Sequence, residues 1–138
     1  MSGLDGADLG ATWLRDGPQA YLGTSIANFP NFFMIVGPNT GLGHNSMIYM
    51  IESQVQYIAD CLRVLRRRKA RTMNLRADVQ REFNERLQKQ MQHSVWVSGC
   101  HSWYQTKSGK VTALWPGFTF SFRKRTRRVR PHDYRFAP

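Results

Sequence analysis

Residues 32–46 read Phe32-Phe33-Met34-Ile35-Val36-Gly37-Pro38-Asn39-Thr40-Gly41-Leu42-Gly43-His44-Asn45-Ser46. The apolar run Phe32–Val36, bounded by Asn31 and Gly37, fits a strand buried on both faces of a central sheet. Pro38 forbids continued pairing at such a position. Gly37, Gly41 and Gly43 allow positive φ and close approach of the backbone to something. Asn45 or Ser46 is suited to cap a helix. Beyond them Ile48, Ile51, Val55, Ile58, Leu62 and Leu65 recur at alternating spacings of three and four. That pattern is one apolar stripe of a helix running from about Met47 to about Arg71. Strand, glycine loop and helix in this order place the chain in the α/β class.

The chemistry of that unit follows from its geometry. A helix N-terminus presents unpaired N–H groups and a positive partial charge. Glycines in front of it let a phosphate, or an electron-rich carbonyl oxygen, come close. The spacing is not Gly-x-Gly-x-x-Gly, and Thr40-Gly41-Leu42-Gly43 lacks the lysine of a P-loop. Two readings stand: a ligand site, or a tight sheet-to-helix connection with no ligand.

Outward from this stretch the chain divides by charge. Residues 1–62 carry one base against five acids, a net −4, and residues 63–138 carry nineteen against four, a net +15. Residues 1–31 are turn-rich, with a short strand candidate at Gln19–Thr24. A second helix is expected from near Ala77, with Val79, Phe83, Leu87 and Met91 on one stripe. After Gln92 come Trp96, Trp103, Tyr104 and Trp115, a turn at Lys107-Ser108-Gly109-Lys110, and a run from Phe118 to Arg128 that mixes aromatics with bases. Such a run suits single-stranded nucleic acid, or a solvated basic segment. With 41% apolar residues among 138, the chain can bury one core. Cys61 and Cys100 form no Cys-x-x-Cys pair, which excludes a disulfide framework and a cysteine zinc site. His44, His93, His101 and His132 lack metal-ligand spacing. Cys100 beside His101 reads as an inert buried thiol rather than a reactive pair. No catalytic or metal-binding residue is assigned. No apolar stretch reaches a membrane span, and residues 1–10 lack the features of a signal peptide, so a cytoplasmic protein is expected.

Several blocks in order carry a resemblance. They are Gly3-Leu4-Asp5-Gly6, Trp13, Tyr21-Leu22-Gly23, Phe29-Pro30-Asn31-Phe32-Phe33-Met34, Gly37 to Ser46, Met50-Ile51-Glu52 and Gln54-Val55. Downstream follow Ser102-Trp103-Tyr104, Gly109-Lys110 and Trp115-Pro116-Gly117-Phe118. Together they resemble the C-terminal part of flavin-dependent Baeyer–Villiger monooxygenases of the cyclohexanone and 4-hydroxyacetophenone type, in the flavin-containing monooxygenase superfamily. The match is collinear and covers nearly the whole chain. The two nucleotide fingerprints of that family, and its catalytic arginine, are absent.

The resemblance implies an α/β fold, the C-terminal fragment of a flavoprotein with two dinucleotide-binding domains. Its parts are short strands, one central strand, two long helices and an aromatic and basic tail. Residues 1–62 would end the FAD-binding domain, and residues 63–138 would close over NADPH and substrate. Gly37, Pro38, Asn39, Thr40, Gly41 and Leu42 would face flavin and substrate. The backbone N–H near Met47 would meet the flavin's pyrimidine carbonyl, and Trp103 would lie on a mobile segment over NADP. The implied cofactors are FAD and NADP. The implied reaction is insertion of an oxygen atom beside a ketone carbonyl, or oxygenation of a heteroatom. The fragment alone is expected to be inactive, its partner being the missing N-terminal part of the same enzyme. The alternative is a small basic nucleic-acid-binding module, which leaves Gly37–Ser46 unexplained.

Overall fold

The computed structural model describes residues 1–42, 46–92, 106 and 109–138. Among them are four α-helices and one small antiparallel sheet. Helix α1 is Leu9–Asp16, α2 is Met47–Arg67, α3 is Ala77–Gln92 and α4 is Thr119–Thr126; strands β1, Thr72–Leu75, and β2, Tyr134–Ala137, pair with Met73 opposite Phe136. The mixed α/β class and the two long helices are as the sequence indicates. No described helix is long and apolar enough to cross a membrane.

Each helix has a local cause. Asp8 caps α1, its side chain accepting the Ala11 N–H at 2.7 Å, and Gly17 ends it at φ +81°. The glycines around α1 conceal it in the sequence, so the turn-rich reading of residues 1–31 misses it. In α3, Phe83, Leu87 and Met91 are buried at spacing four, as expected, while Arg81, Glu82, Glu85, Arg86 and Lys89 face solvent. Arg66 and Arg67 close the negative end of α2.

Two expectations are corrected. Phe32–Val36 forms no strand. Only Phe33 makes a bridge, to Ser25, and Ile35 and Val36 are about half exposed. A run suited to burial on both faces needs a neighbour on each side. Here the Met34 N–H goes to the Thr24 carbonyl, and the Val36 N–H goes to a side chain, that of Gln54. Gln19–Thr24 is not a strand either. Tyr21 and Ser25 exchange backbone hydrogen bonds, closing a tight turn through Leu22 and Gly23, both at positive φ. On α2 the apolar stripe is only partly covered, its last member Leu65 reaching the main core. Met50, Ser53, Gln54, Tyr57, Cys61, Val64 and Leu65 point inward, whereas Ile48, Val55 and Leu62 point out.

The main core gathers Met50, Tyr57 and Cys61 of α2, Phe83, Leu87 and Met91 of α3, Met73 and Leu75 of β1, and Trp115, Phe122 and Tyr134. Side chains from both sides of position 62 meet in it. β1 is also held along its other flank by Asn31, whose Oδ1 accepts the Met73 N–H at 3.0 Å and whose N–H donates to the Met73 carbonyl. A smaller cluster of Leu9, Ala20, Ile26 and Phe29 fixes α1.

Candidate functional site

The loop 37–42 is pinned to residues 111–115. The Asn39 N–H donates to the Thr112 carbonyl at 2.7 Å, and the Gly41 N–H donates to the Ala113 carbonyl at 2.8 Å. In return the Trp115 N–H donates to the Gly41 carbonyl at 2.9 Å. The Asn39 side chain, 3% exposed, donates to the carbonyls of Val111 and Leu114. Thr40 is fully buried and bonds the Gly37 carbonyl. Asn39 holds φ +58°, a conformation that asparagine tolerates better than most residues.

The glycine requirement has an identifiable cause inside the chain. A Cβ on Gly41 would stand 2.7 Å from the Ala113 carbonyl oxygen. One on Gly23 would stand 2.1 Å from the Thr40 methyl, at a φ of +59°. The close approach inferred from the sequence therefore includes an approach of the chain to itself. Gln54 completes the arrangement. Its Nε2 donates to the Gly23 carbonyl and Thr24 Oγ1, both at 2.9 Å, and its Oε1 accepts the Val36 N–H at 2.9 Å. No signal in the sequence marks Gln54 as this buried hub, because its partners lie about thirty residues away on the turn and eighteen away on the loop.

Loop and helix meet at Ser46, the N-cap residue of α2. Its side chain makes no capping hydrogen bond, and the first turn holds no acidic residue. Among the described residues, the positive end of this 21-residue helix therefore has no capping side chain and no acid in its first turn. This arrangement favours an electron-rich oxygen. Of the sequence candidates, Gly37, Pro38, Asn39, Thr40, Gly41 and Leu42 lie on the loop pinned to residues 111–115, and Met47 is the first residue of α2. The side chains of Asn39 and Thr40 are turned inward. Gly43, His44, Asn45, Cys100, His101 and Trp103 lie outside the described residues.

A second concave feature was not visible in the sequence. Arg86 of α3, Arg125 of α4 and Arg130 line a cavity of about 270 Å³ floored by Tyr21, Phe83 and Trp115. The three arginines come from separate segments, which no spacing reveals. The Tyr21 hydroxyl donates to Asp133 at 2.9 Å, and burial pushes its pKa well above the ordinary range, with the Asp133 charge adding to the effect. The mixed run Phe118–Arg128 folds largely into α4. Arg123 lies over the Tyr49 ring at 4.3 Å and 3.5 Å from Glu52, and Arg125 lies over Trp115. Phe118 and Phe120 stack on each other, exposed. Among the described residues no group of His, Cys, Asp and Glu could hold a metal.

No family model matches the chain. It is 52% identical over 134 residues to a Baeyer–Villiger monooxygenase of Pseudomonas aeruginosa, a match over 96% of this chain and 25% of that one. It is 39% identical to an FAD-binding monooxygenase of Aspergillus niger, covering 96% of this chain and 22% of that one. Its fold superposes on an oxidised steroid monooxygenase bound to NADP with a TM-score of 0.80 and 26% identity, over 98% of this chain and 25% of the other. The chain therefore spans about a quarter of the length of the curated relatives it matches. In sequence and in fold it corresponds to that quarter of a Baeyer–Villiger-type monooxygenase.

Proposed function

We propose that the chain is the C-terminal portion of an FAD- and NADPH-dependent monooxygenase, acting on a small ketone or a soft heteroatom. The observation that carries this reading is the α2 N-terminus, without a side-chain cap, on a loop that the chain itself clamps. Gly37, Pro38, Gly41, Leu42 and Met47 form the flavin-facing surface, and the buried Asn39 and Thr40 stand behind it. Flavin, once reduced by NADPH, supplies the activation of dioxygen. The chain supplies position and field. The Met47 N–H and the aligned peptide dipoles behind it stabilise negative charge at the helix end. Asn39 and Thr40 are positioning residues: their buried hydrogen bonds fix the loop, so the field is preorganised rather than recruited.

Residues 1–62 end the FAD-binding part, and residues 63–138 cover NADPH and substrate. Arg86, Arg125 and Arg130 give the second part a basic cavity suited to an anionic ligand such as a dinucleotide phosphate. Trp103 belongs to the covering segment by resemblance. The remainder of the enzyme is the partner, and a cytoplasmic setting belongs to the same reading. A nucleic-acid-binding module leaves the clamped loop and the helix end without a role.

The test uses a chimera that joins this chain to the part of the Pseudomonas aeruginosa relative that it does not match. Met47 holds the first helical position, where proline is tolerated but brings no N–H. Met47→Pro should leave the melt and helix content of the chimera unchanged. The rate of product formation should fall by about a hundredfold or more, the scale of losing one oxyanion donor. Unchanged flavin content together with an unchanged rate of product formation would overturn the reading.

A further inference from the structure

Helix α2 leaves a line of aliphatic side chains uncovered on its outer side. Ile48, Val55 and Leu62 are 67%, 49% and 55% exposed, and Ile51 and Ile58 between them are only partly covered. The stripe from Ile48 to Leu62 is about 21 Å long at the helical rise. Ile35 and Val36, 47% and 48% exposed, adjoin it, since Gln54 of α2 holds the Val36 N–H. The exposed charges Glu52 and Arg63 flank the stripe along one side. The outer face of α3 is the contrast: Arg81, Glu82, Glu85 and Lys89 make it an ordinary solvated surface. A continuous aliphatic face of this length on an otherwise strongly charged chain marks an interaction surface.

We infer that this stripe is the docking surface for the remainder of a full-length monooxygenase, the three quarters of its relatives that this chain does not match. The inference rests on the monooxygenase reading. Two features select that occupant. The relatives extend far beyond the matched quarter, so a large body is available to cover the face. The stripe also begins at Ile48, next to Met47, so a flavin-bearing body seated on the helix end meets the stripe without a gap. In the neighbouring run Phe32–Val36 the described residues supply one bridge, Phe33 to Ser25, and such a body can pair more of it.

The experiment places Val55→Lys with Leu62→Lys both in the isolated chain and in the chimera. In the isolated chain both positions face water, so helix content and melt should be unchanged and self-association should diminish. In the chimera the lysines meet an apolar partner, and the melt should fall by roughly 5–10 °C. An unchanged chimera melt overturns the inference. So does unfolding of the isolated double variant, which would assign the stripe to the chain's own core. A discrete wild-type dimer that the lysines split, with the chimera unaffected, would assign the face to a second copy and equally overturn it. Met47→Pro tests the flavin site without touching the stripe. A chimera sensitive to the lysines but indifferent to that proline keeps the docking surface and discards the flavin site.

Discussion

Gln54 shows how much one side chain settles. It is fully buried, and its amide satisfies the Gly23 carbonyl, the Thr24 hydroxyl and the Val36 N–H together. Leucine has a similar volume but no partner for any of them. Each polar group left unpaired in the interior costs about 1–3 kcal/mol, so Gln54→Leu should destabilise the chain by roughly 2–4 kcal/mol after partial relaxation. Gln56, on the exposed side of α2, is the control, and its leucine variant should change stability by less than about 0.5 kcal/mol. Equal urea midpoints for the two variants would refute the hub. At this scale the sequence is partly legible. Residues 37–46 stand out as a loop with unusual backbone demands, because glycine, proline and asparagine declare themselves locally. That Asn39 turns inward to Val111 and Leu114 does not show, because its partners are more than seventy residues away.

Helices α2 and α3 are legible from period alone, and α3 begins at the expected residue. Strand identity is not. The run Phe32–Val36 has the composition of a central strand, but a strand exists only with a neighbour, and composition does not supply one. The same limit holds for α2: period reveals a stripe, not which body covers it. Strands β1 and β2 have four residues each, too short for a period, and they are found only through their pairing. That ribbon is marginal by itself. Tyr134 anchors it, its hydroxyl lying 2.8 Å from Tyr57 and 3.0 Å from Ser25. Deleting residues 134–138 should therefore remove cooperative unfolding and uncover Cys61, which is fully buried in the intact chain. In a Cys100→Ser background, Cys61 should be silent to a thiol reagent in the full chain and react within minutes in the deletion. A silent thiol in the deletion would mean that β2 does not close the core.

Four weak acids tie the molecule together: the buried Cys61 and Tyr57 on α2 and Tyr134 on β2, and the partly buried Tyr21 at the tight turn. Burial pushes the Cys61 thiol up to about 12, with the Asp60 charge adding to it. Burial likewise drives Tyr21, Tyr57 and Tyr134 well above the ordinary tyrosine value of 10.0. All four are neutral in the fold and ionise first in the unfolded chain. Between the ordinary and the raised values the folded state holds more protons, so stability falls as pH rises. The contribution is intact below about pH 9, the ordinary thiol value of 9.0, and is lost progressively above it. A second effect opposes this one. The chain carries +11, and approach to its isoelectric point near 10.5 relieves self-repulsion. Salt separates them, since screening removes repulsion between exposed charges and leaves the four acids untouched. In about 0.5 M salt, where the Debye length is short, the urea midpoint should be flat from about pH 7 to about pH 9 and drop steeply toward pH 11. At low salt it should first rise slightly. Because the acids join three segments, the drop should appear together in helix content and in tyrosine absorbance. A midpoint still flat at about pH 11 in salt would mean that these groups are not held neutral by the fold.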